Sequence, residues 1–291
     1  MFSNTAQLFE TKTNYDVIFE VCGKEIKAHR QILALKSDVF YLQFFNPIWS
    51  KQDKNGKTVI KIMDPNIEVE NFEDFIKYFY INKIQFSGDN VFGILYLGNI
   101  YNVQNLVIEA EKFIWKNLAE ENLIDVANSA SFVNSQVLVQ KCVQKIVKHR
   151  FLNPNFFNLL DKSIIIEVLK KNNKWQMITA DISIENDEER VLNIEVELFH
   201  LIVGWGNHQL EKKNMENNRE NLRKILEDVL PFIRFPLIPG NVFHNQVWST
   251  GLLSTETYEQ IMQIKKSGKE HEFPFSNIPR TGSLIYMAID Y

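Results

Sequence analysis

Glu197-x-x-His200, with His208 two turns further on, is the arrangement in this 291-residue sequence most suggestive of chemistry. A carboxylate and an imidazole at i, i+3 on a helix share one face and can hold one metal ion. Di-iron bundle proteins need that motif twice, with two more glutamates, and here there is one copy. The expectation is therefore no metal and no cofactor, with His200 and His208 as partly exposed surface. Cys22 and His29 are close enough in sequence to suggest a thiolate–imidazole nucleophile, but sequence proximity is not geometry. A small buried thiol at a strand end is the better reading. The sequence holds no G-x-S-x-G elbow, no G-x-x-x-x-G-K-[ST] loop, no H-E-x-x-H and no G-x-G-x-x-G. No catalytic role is expected.

Two other groups of residues point to recognition. Asp16, a carboxylate at the head of a strand, and Arg30, a guanidinium at a helix start, can pair closely. Such a pair adds little stability but can fix specificity. An internal salt bridge facing no partner is an equally good reading. The stretch Phe44-Phe45-Asn46-Pro47-Ile48-Trp49-Ser50-Lys51 sets apolar side chains beside a turn. Aromatic anchors of this kind carry binding energy at interfaces. The alternative is that Phe44, Phe45 and Trp49 only cover the core.

These residues are positioned by a compact run of elements. Val17, Phe19 and Val21 alternate with Asp16, Ile18 and Glu20, which predicts a strand with one buried face. Cys22-Gly23-Lys24 turns the chain, and a second strand follows over 25–28. Ile32, Leu33 and Leu35 read as a helical turn, and Ser37 as the N-cap of a helix beginning at Asp38. A third strand is predicted over 58–62. Helices follow: one with Val69, Phe72, Phe75, Ile76 and Phe79 on a face, then 90–101 and 103–118.

Beyond Leu118 the pattern is helical. Leu123, Val126, Ala127 and Ala130 fall at i, i+3, i+4, i+7, and Leu138, Cys142 and Ile146 repeat at four. Asn153-Pro154 reads as a cap and first-turn proline. Ile194 to Trp205 marks a long amphipathic helix, and Leu222 to Leu230 another, ended by Pro231. The fold class is α+β: a mixed part over 14–118 after a short helical segment over 1–13, then an all-α part over 119–265. Asp181, Glu185, Asp187, Glu188 and Glu189 read as a solvated acidic insertion. The tail, 266–291, reads as a linker or extended arm.

Composition bounds the function classes. Hydrophobic residues at 45% and charged residues at 23% are ordinary globular usage, which excludes a disordered chain. A net charge of −4 gives no basic footprint for nucleic acid. Two distant cysteines form no disulfide framework, which suits a reducing compartment. No apolar run reaches the roughly 18–20 residues of a membrane span, and the start has no signal-peptide pattern. A cytoplasmic protein is expected.

The string Asp16-Val17…Ala28-His29-Arg30…Leu33-Ala34…Ser37…Val39-Phe40 resembles the core motif of BTB/POZ domains, D-V-x-F through A-H-R-x-x-L-A to S-x-x-F. The helical half resembles the BACK domain that commonly follows BTB. The matching residues are Glu195-x-x-Leu198-Phe199…Trp205, Arg234-Phe235-Pro236-Leu237-Ile238 and Gly251-Leu252-Leu253-Ser254. The tail Phe273-Pro274-Phe275…Pro279-Arg280 is similar to linkers that lead into PHR or TLDc modules. No kelch repeat is present.

The resemblance implies a non-enzymatic adaptor that forms homodimers and docks the N-terminal region of cullin-3 as the substrate-recruiting subunit of a ubiquitin ligase. It places Asp16 and Arg30 in a charged pocket at the dimer interface. It places Phe45, Ile48, Trp49, Tyr101 and Val103 at the cullin interface, with helices 119–132 and 135–150 extending the groove. Many cullin-3 adaptors carry a hydrophobic-x-Glu motif in this region. Here Ser50 or Lys51 stands at the glutamate position, which favours the alternative of a self-associating scaffold that binds no cullin.

Overall fold

The structure is a computed structural model, and it describes residues 4–46, 56–148, 154–171, 194–269, 271–272 and 274–277. The chain divides into two compact units. One comprises Met1–Asn122 with Ser129–Leu138, the other Leu123–Asn128 with Val139–Tyr291.

The first unit begins with α1 (Asn4–Thr11), β1 (Val17–Val21), β2 (Lys24–Ala28), α2 (Arg30–Ala34) and α3 (Asp38–Phe45). It continues with β3 (Thr58–Ile62), α4 (Val69–Ile81), α5 (Val91–Ile100) and α6 (Gln104–Lys116). The sheet order is β2-β1-β3, with β1 antiparallel to β2 and parallel to β3. Phe19 of β1 faces Ile26 on one side and Ile60 on the other. Parallel pairing requires a crossover between the strands, and α2 and α3 lie in the chain between β2 and β3.

The predicted alternation of β1 is observed: Val17, Phe19 and Val21 are fully buried and their neighbours half-buried. The β1–β2 turn has positive φ at both Cys22 (46°) and Gly23 (81°). Two left-handed residues match the twist of a tight hairpin. This turn corrects the reading of Cys22 as a buried thiol, because a residue at the tip of a two-residue turn points to solvent, and Cys22 is exposed.

The core of this unit is aromatic. Phe19 meets Phe72 at 5.1 Å and Phe40 at 5.6 Å between ring centroids. Phe40 stacks on Phe44 at 5.4 Å and on Tyr101 at 4.3 Å. Burying each such ring stabilises the fold by about 1.5–3 kcal/mol. α4 buries the stripe Phe72, Phe75, Ile76 and Phe79 and ends at Asn82 in the left-handed conformation.

Helices α7 (Leu123–Phe132) and α8 (Gln136–Lys148) follow. The second unit then contains α9 (Pro154–Phe157), α10 (Lys162–Lys170), α11 (Ile194–Lys212) and α12 (Arg219–Leu226). After short helical turns and α13 (Gly240–Val242) comes α14 (Thr255–Ser267). No strand belongs to this unit among the described residues.

Gly206 explains the approach of α11 to α12: a Cβ there would lie 2.7 Å from Leu222 and 2.8 Å from Leu226. Trp205 is buried, and its indole N–H donates to the Leu160 carbonyl at 2.9 Å. The backbone N–H of Arg234 donates to the buried Glu195 carboxylate at 3.0 Å. Pro231 does not end a helix as expected. α12 stops at Leu226, and Pro231 sits within the 3-10 turn Leu230–Phe232, where its missing N–H costs nothing.

The tail also differs from the linker expected from residue 266. α14 is capped by Ser254, whose side chain accepts from the Thr257 N–H, and it ends at Gly268 with φ 62°. Beyond it, Phe275 and Ser276 are buried. Asn153 and the acidic 181–189 segment lie outside the described residues.

Candidate protein-interaction surface

Asp16 and Arg30 meet as the spacing predicts. Arg30 begins α2, and both its backbone N–H (2.8 Å) and its Nε–H (3.0 Å) donate to the two oxygens of the Asp16 carboxylate. One carboxylate thus caps a helix start and holds its guanidinium. The Asp16 backbone is fixed in turn, its N–H donating to Ala28 and its carbonyl accepting from Thr58. The Arg30 side chain keeps 16% of its area in solvent and Asp16 36%, so the pair is partly exposed.

Behind it, His29 is held from three sides. Its backbone N–H donates to the Tyr80 hydroxyl at 2.9 Å. Nδ1 lies 2.8 Å from the same hydroxyl, and Nε2 2.8 Å from the Thr13 carbonyl. Burial pushes the Tyr80 pKa well up, against the opposing pull of the His29 N–H, so this phenol stays protonated. The structure does not bring His29 to Cys22. Cys22 occupies the hairpin turn, His29 follows the opposite end of β2, and both imidazole nitrogens are engaged elsewhere.

The apolar part of the surface lies on α3. Ser37 caps this helix: its side chain accepts from the Phe40 N–H at 3.1 Å and donates to the Tyr101 carbonyl at 2.6 Å. Those two hydrogen bonds fix the rotation of α3, so Phe40 and Phe44 turn inward. Tyr41, Leu42 and Phe45 are left 55%, 41% and 43% exposed. Tyr41 and Phe45, one turn apart, bring their rings to 5.6 Å and form a continuous exposed ridge.

Of the five residues expected at a docking surface, Phe45 is exposed on this ridge. Ile48 and Trp49 lie outside the described residues, as do Ser50 and Lys51. Tyr101 and Val103 are buried in the aromatic core. Burial pushes the Tyr101 hydroxyl well above its ordinary pKa. These two support the ridge from beneath and offer little area of their own. Sequence reasoning missed Tyr41 and Leu42, although their i+1 and i+2 positions relative to the inward Phe40 of the Phe40–Phe44 repeat turn them away from the buried face.

The helical motif resolves differently. His200 is exposed, Glu197 is half-buried, and His208 places Nδ1 3.9 Å from the Glu211 carboxylate. Among the described residues no three His, Cys, Asp or Glu side chains converge on one point. No helix among them is long and apolar enough to cross a membrane.

A family model for the BTB/POZ domain matches residues 5–118. BTB/POZ domain-containing protein 3 from Homo sapiens is 22% identical over 281 residues, which cover 95% of this chain and 50% of that protein. BTB/POZ domain-containing protein 6 from Xenopus laevis is 22% identical, covering 95% of this chain and 49% of that protein. Kelch-like protein 40 from Xenopus laevis is 22% identical over 261 residues, covering 89% of this chain and 38% of that protein. The chain spans about half the length, or less, of these curated relatives. The matched segment, the β2-β1-β3 sheet and the helices packed on it agree: residues 5–118 are a BTB/POZ domain, and the helical region after them fits a BTB–BACK arrangement.

Proposed function

We propose that this chain is a non-enzymatic adaptor that joins proteins through its BTB/POZ domain, and that the N-terminal region of cullin-3 is the partner of the α3 ridge. The role would be recruitment of a still unidentified substrate protein to a cytoplasmic ubiquitin ligase, with no cofactor, nucleic acid or membrane involved. The observation that carries this reading is the exposed ridge of Tyr41, Leu42 and Phe45 on a helix whose opposite face is locked into the core. Exposed aromatic and aliphatic side chains on a rigid element give up little entropy on binding. They are the side chains from which interface anchors are made. The cullin assignment is supported by the resemblance of this region to cullin-docking BTB proteins.

The test is a titration of cullin-3 N-terminal domain against the wild-type chain and Phe45→Ala. An anchor is worth about 2 kcal/mol, roughly a 30-fold weaker complex. Equal affinities would remove Phe45 from the interface, and no saturable binding to the wild-type chain would remove cullin-3. The second reading, a self-associating scaffold, is favoured by Ser50 or Lys51 standing at the expected glutamate position. It predicts a dimer that cullin-3 never joins.

A further inference from the structure

Tyr15 stands apart among the tyrosines of the described residues. It is half-buried and directly precedes the sheet, since the β1–β2 ladder begins at Val17. Two ammonium groups meet at its ring. The Lys57 Nζ lies 3.8 Å from the ring centroid and the Lys27 Nζ 5.0 Å. Lys27 belongs to β2 and Lys57 immediately precedes β3, so the phenol at the head of β1 is approached from both flanking strands.

This cluster favours negative charge on the phenolic oxygen. A hydrogen bond from Lys57 and the charge of Lys27 hold the Tyr15 phenol below its ordinary pKa, outweighing the opposite pull of burial. Tyr78, Tyr80 and Tyr101 are shifted upward by burial, and Tyr96 by its hydrogen bond to Asp64. Two cations brought to one hydroxyl also repel each other. Glu25, 4.0 Å from the Lys27 Nζ and more than half exposed, is a distant counter-ion for that lysine. A dianion carried on the Tyr15 oxygen would meet both ammoniums. The Asp16 carboxylate, next in the chain, opposes such a charge, but Arg30 already holds it.

We propose that Tyr15 is a phosphorylation site and that Lys27 and Lys57 receive its phosphate. The phenolic oxygen attacks the γ-phosphorus of ATP held by a tyrosine kinase. The new O–P bond forms, the bond from that phosphorus to the β,γ-bridging oxygen breaks, ADP leaves, and the phenolic proton passes to the kinase's base. The product carries about −1.5 to −2 charges at pH 7. It ties the heads of β1 and β3 to β2 through charge-assisted hydrogen bonds and neutralises the two ammonium charges. This inference is independent of the α3 ridge and of cullin binding.

The test uses the full chain. A tyrosine-kinase catalytic domain that modifies a peptide of residues 10–20 in the presence of ATP should also place phosphate on Tyr15 of the folded chain, read by peptide mass spectrometry. Modification of the peptide but not of the folded chain would show that the fold withholds Tyr15, and the proposal fails. Phosphotyrosine installed at position 15 during synthesis then reports on the receiving groups. Phosphorus NMR should give a second phosphate pKa at least about 0.5 below its usual value near 6, because nearby ammonium groups favour the dianion. Lys27→Gln and Lys57→Gln should each remove part of that shift, and together they should return the pKa to the usual value or above it. Equal pKa values with and without the lysines would mean that they do not receive the phosphate, which overturns the assignment. A circular-dichroism melt of each single variant, matching the wild type, keeps a folding failure from imitating the loss of the shift.

Discussion

Tyr80 and His29 fix each other's protons. The Thr13 carbonyl can only accept, so the His29 Nε2 beside it carries the hydrogen in the neutral ring, and Nδ1 is then the acceptor. The Tyr80 hydroxyl donates to Nδ1 while its oxygen accepts the His29 backbone N–H. Nitrogen NMR of the imidazole should therefore report the Nε2–H tautomer. Tyr80→Phe keeps the ring that packs on Phe9 at 5.2 Å but leaves the His29 N–H and Nδ1 without this partner. The expected cost is about 1–3 kcal/mol, read as a lower urea midpoint with an unchanged slope. An unchanged midpoint would mean that water replaces the hydroxyl at no cost. The AHR string thus has a mechanical meaning: Ala28 ends the strand, His29 locks it to α4, and Arg30 starts α2 on the Asp16 carboxylate.

α3 depends on one hydroxyl. Ser37 is almost fully buried and makes two bonds, one to the first turn of its own helix and one to the carbonyl of Tyr101, 64 residues away. Ser37→Ala should cost about 1–3 kcal/mol, since it removes a cap and leaves buried groups unpaired. Amide exchange at Phe40 should accelerate more than exchange in α4, because the loss is local to the start of α3. Uniform acceleration would show that the cap matters only to global stability. Ser37 as a cap was legible in the sequence because a side-chain acceptor before a helix leaves a local signature, and β1 was legible because alternation marks a half-buried strand. Parallel pairing of β1 with β3 was not, since no local pattern encodes which distant strand becomes a neighbour. α14 was missed because its buried positions, Ile261 and Ile264, are sparse among polar residues. Tyr101 and Val103 were placed at the docking surface by resemblance. Their burial follows from stacking on Phe40 and from closure of the α5–α6 corner, which only the assembled domain defines.

At the scale of the whole molecule, the Asp16–Arg30 pair either serves this chain alone or faces a second copy. Geometry within one chain satisfies both charges, so the pair needs no partner to be stable. It is nevertheless partly exposed on the BTB/POZ domain. Asp16→Asn separates the two roles. The amide oxygen still accepts the Arg30 backbone N–H and the helix start survives, while the negative charge is removed. If the pair is only internal, the variant loses about 1 kcal/mol or less, as a surface ion pair would, and its association is unchanged. If the charge faces a partner, association weakens roughly tenfold or more, because an interfacial guanidinium loses its counter-charge in a partly desolvated site. The expected outcome under the adaptor reading is the second. Light scattering across a concentration series should give twice the chain mass for the wild type and a concentration-dependent fall towards the single mass for Asp16→Asn. A wild-type chain that keeps the single mass at every concentration would assign Asp16 and Arg30 to internal capping and leave the α3 ridge to bind its partner as a monomer.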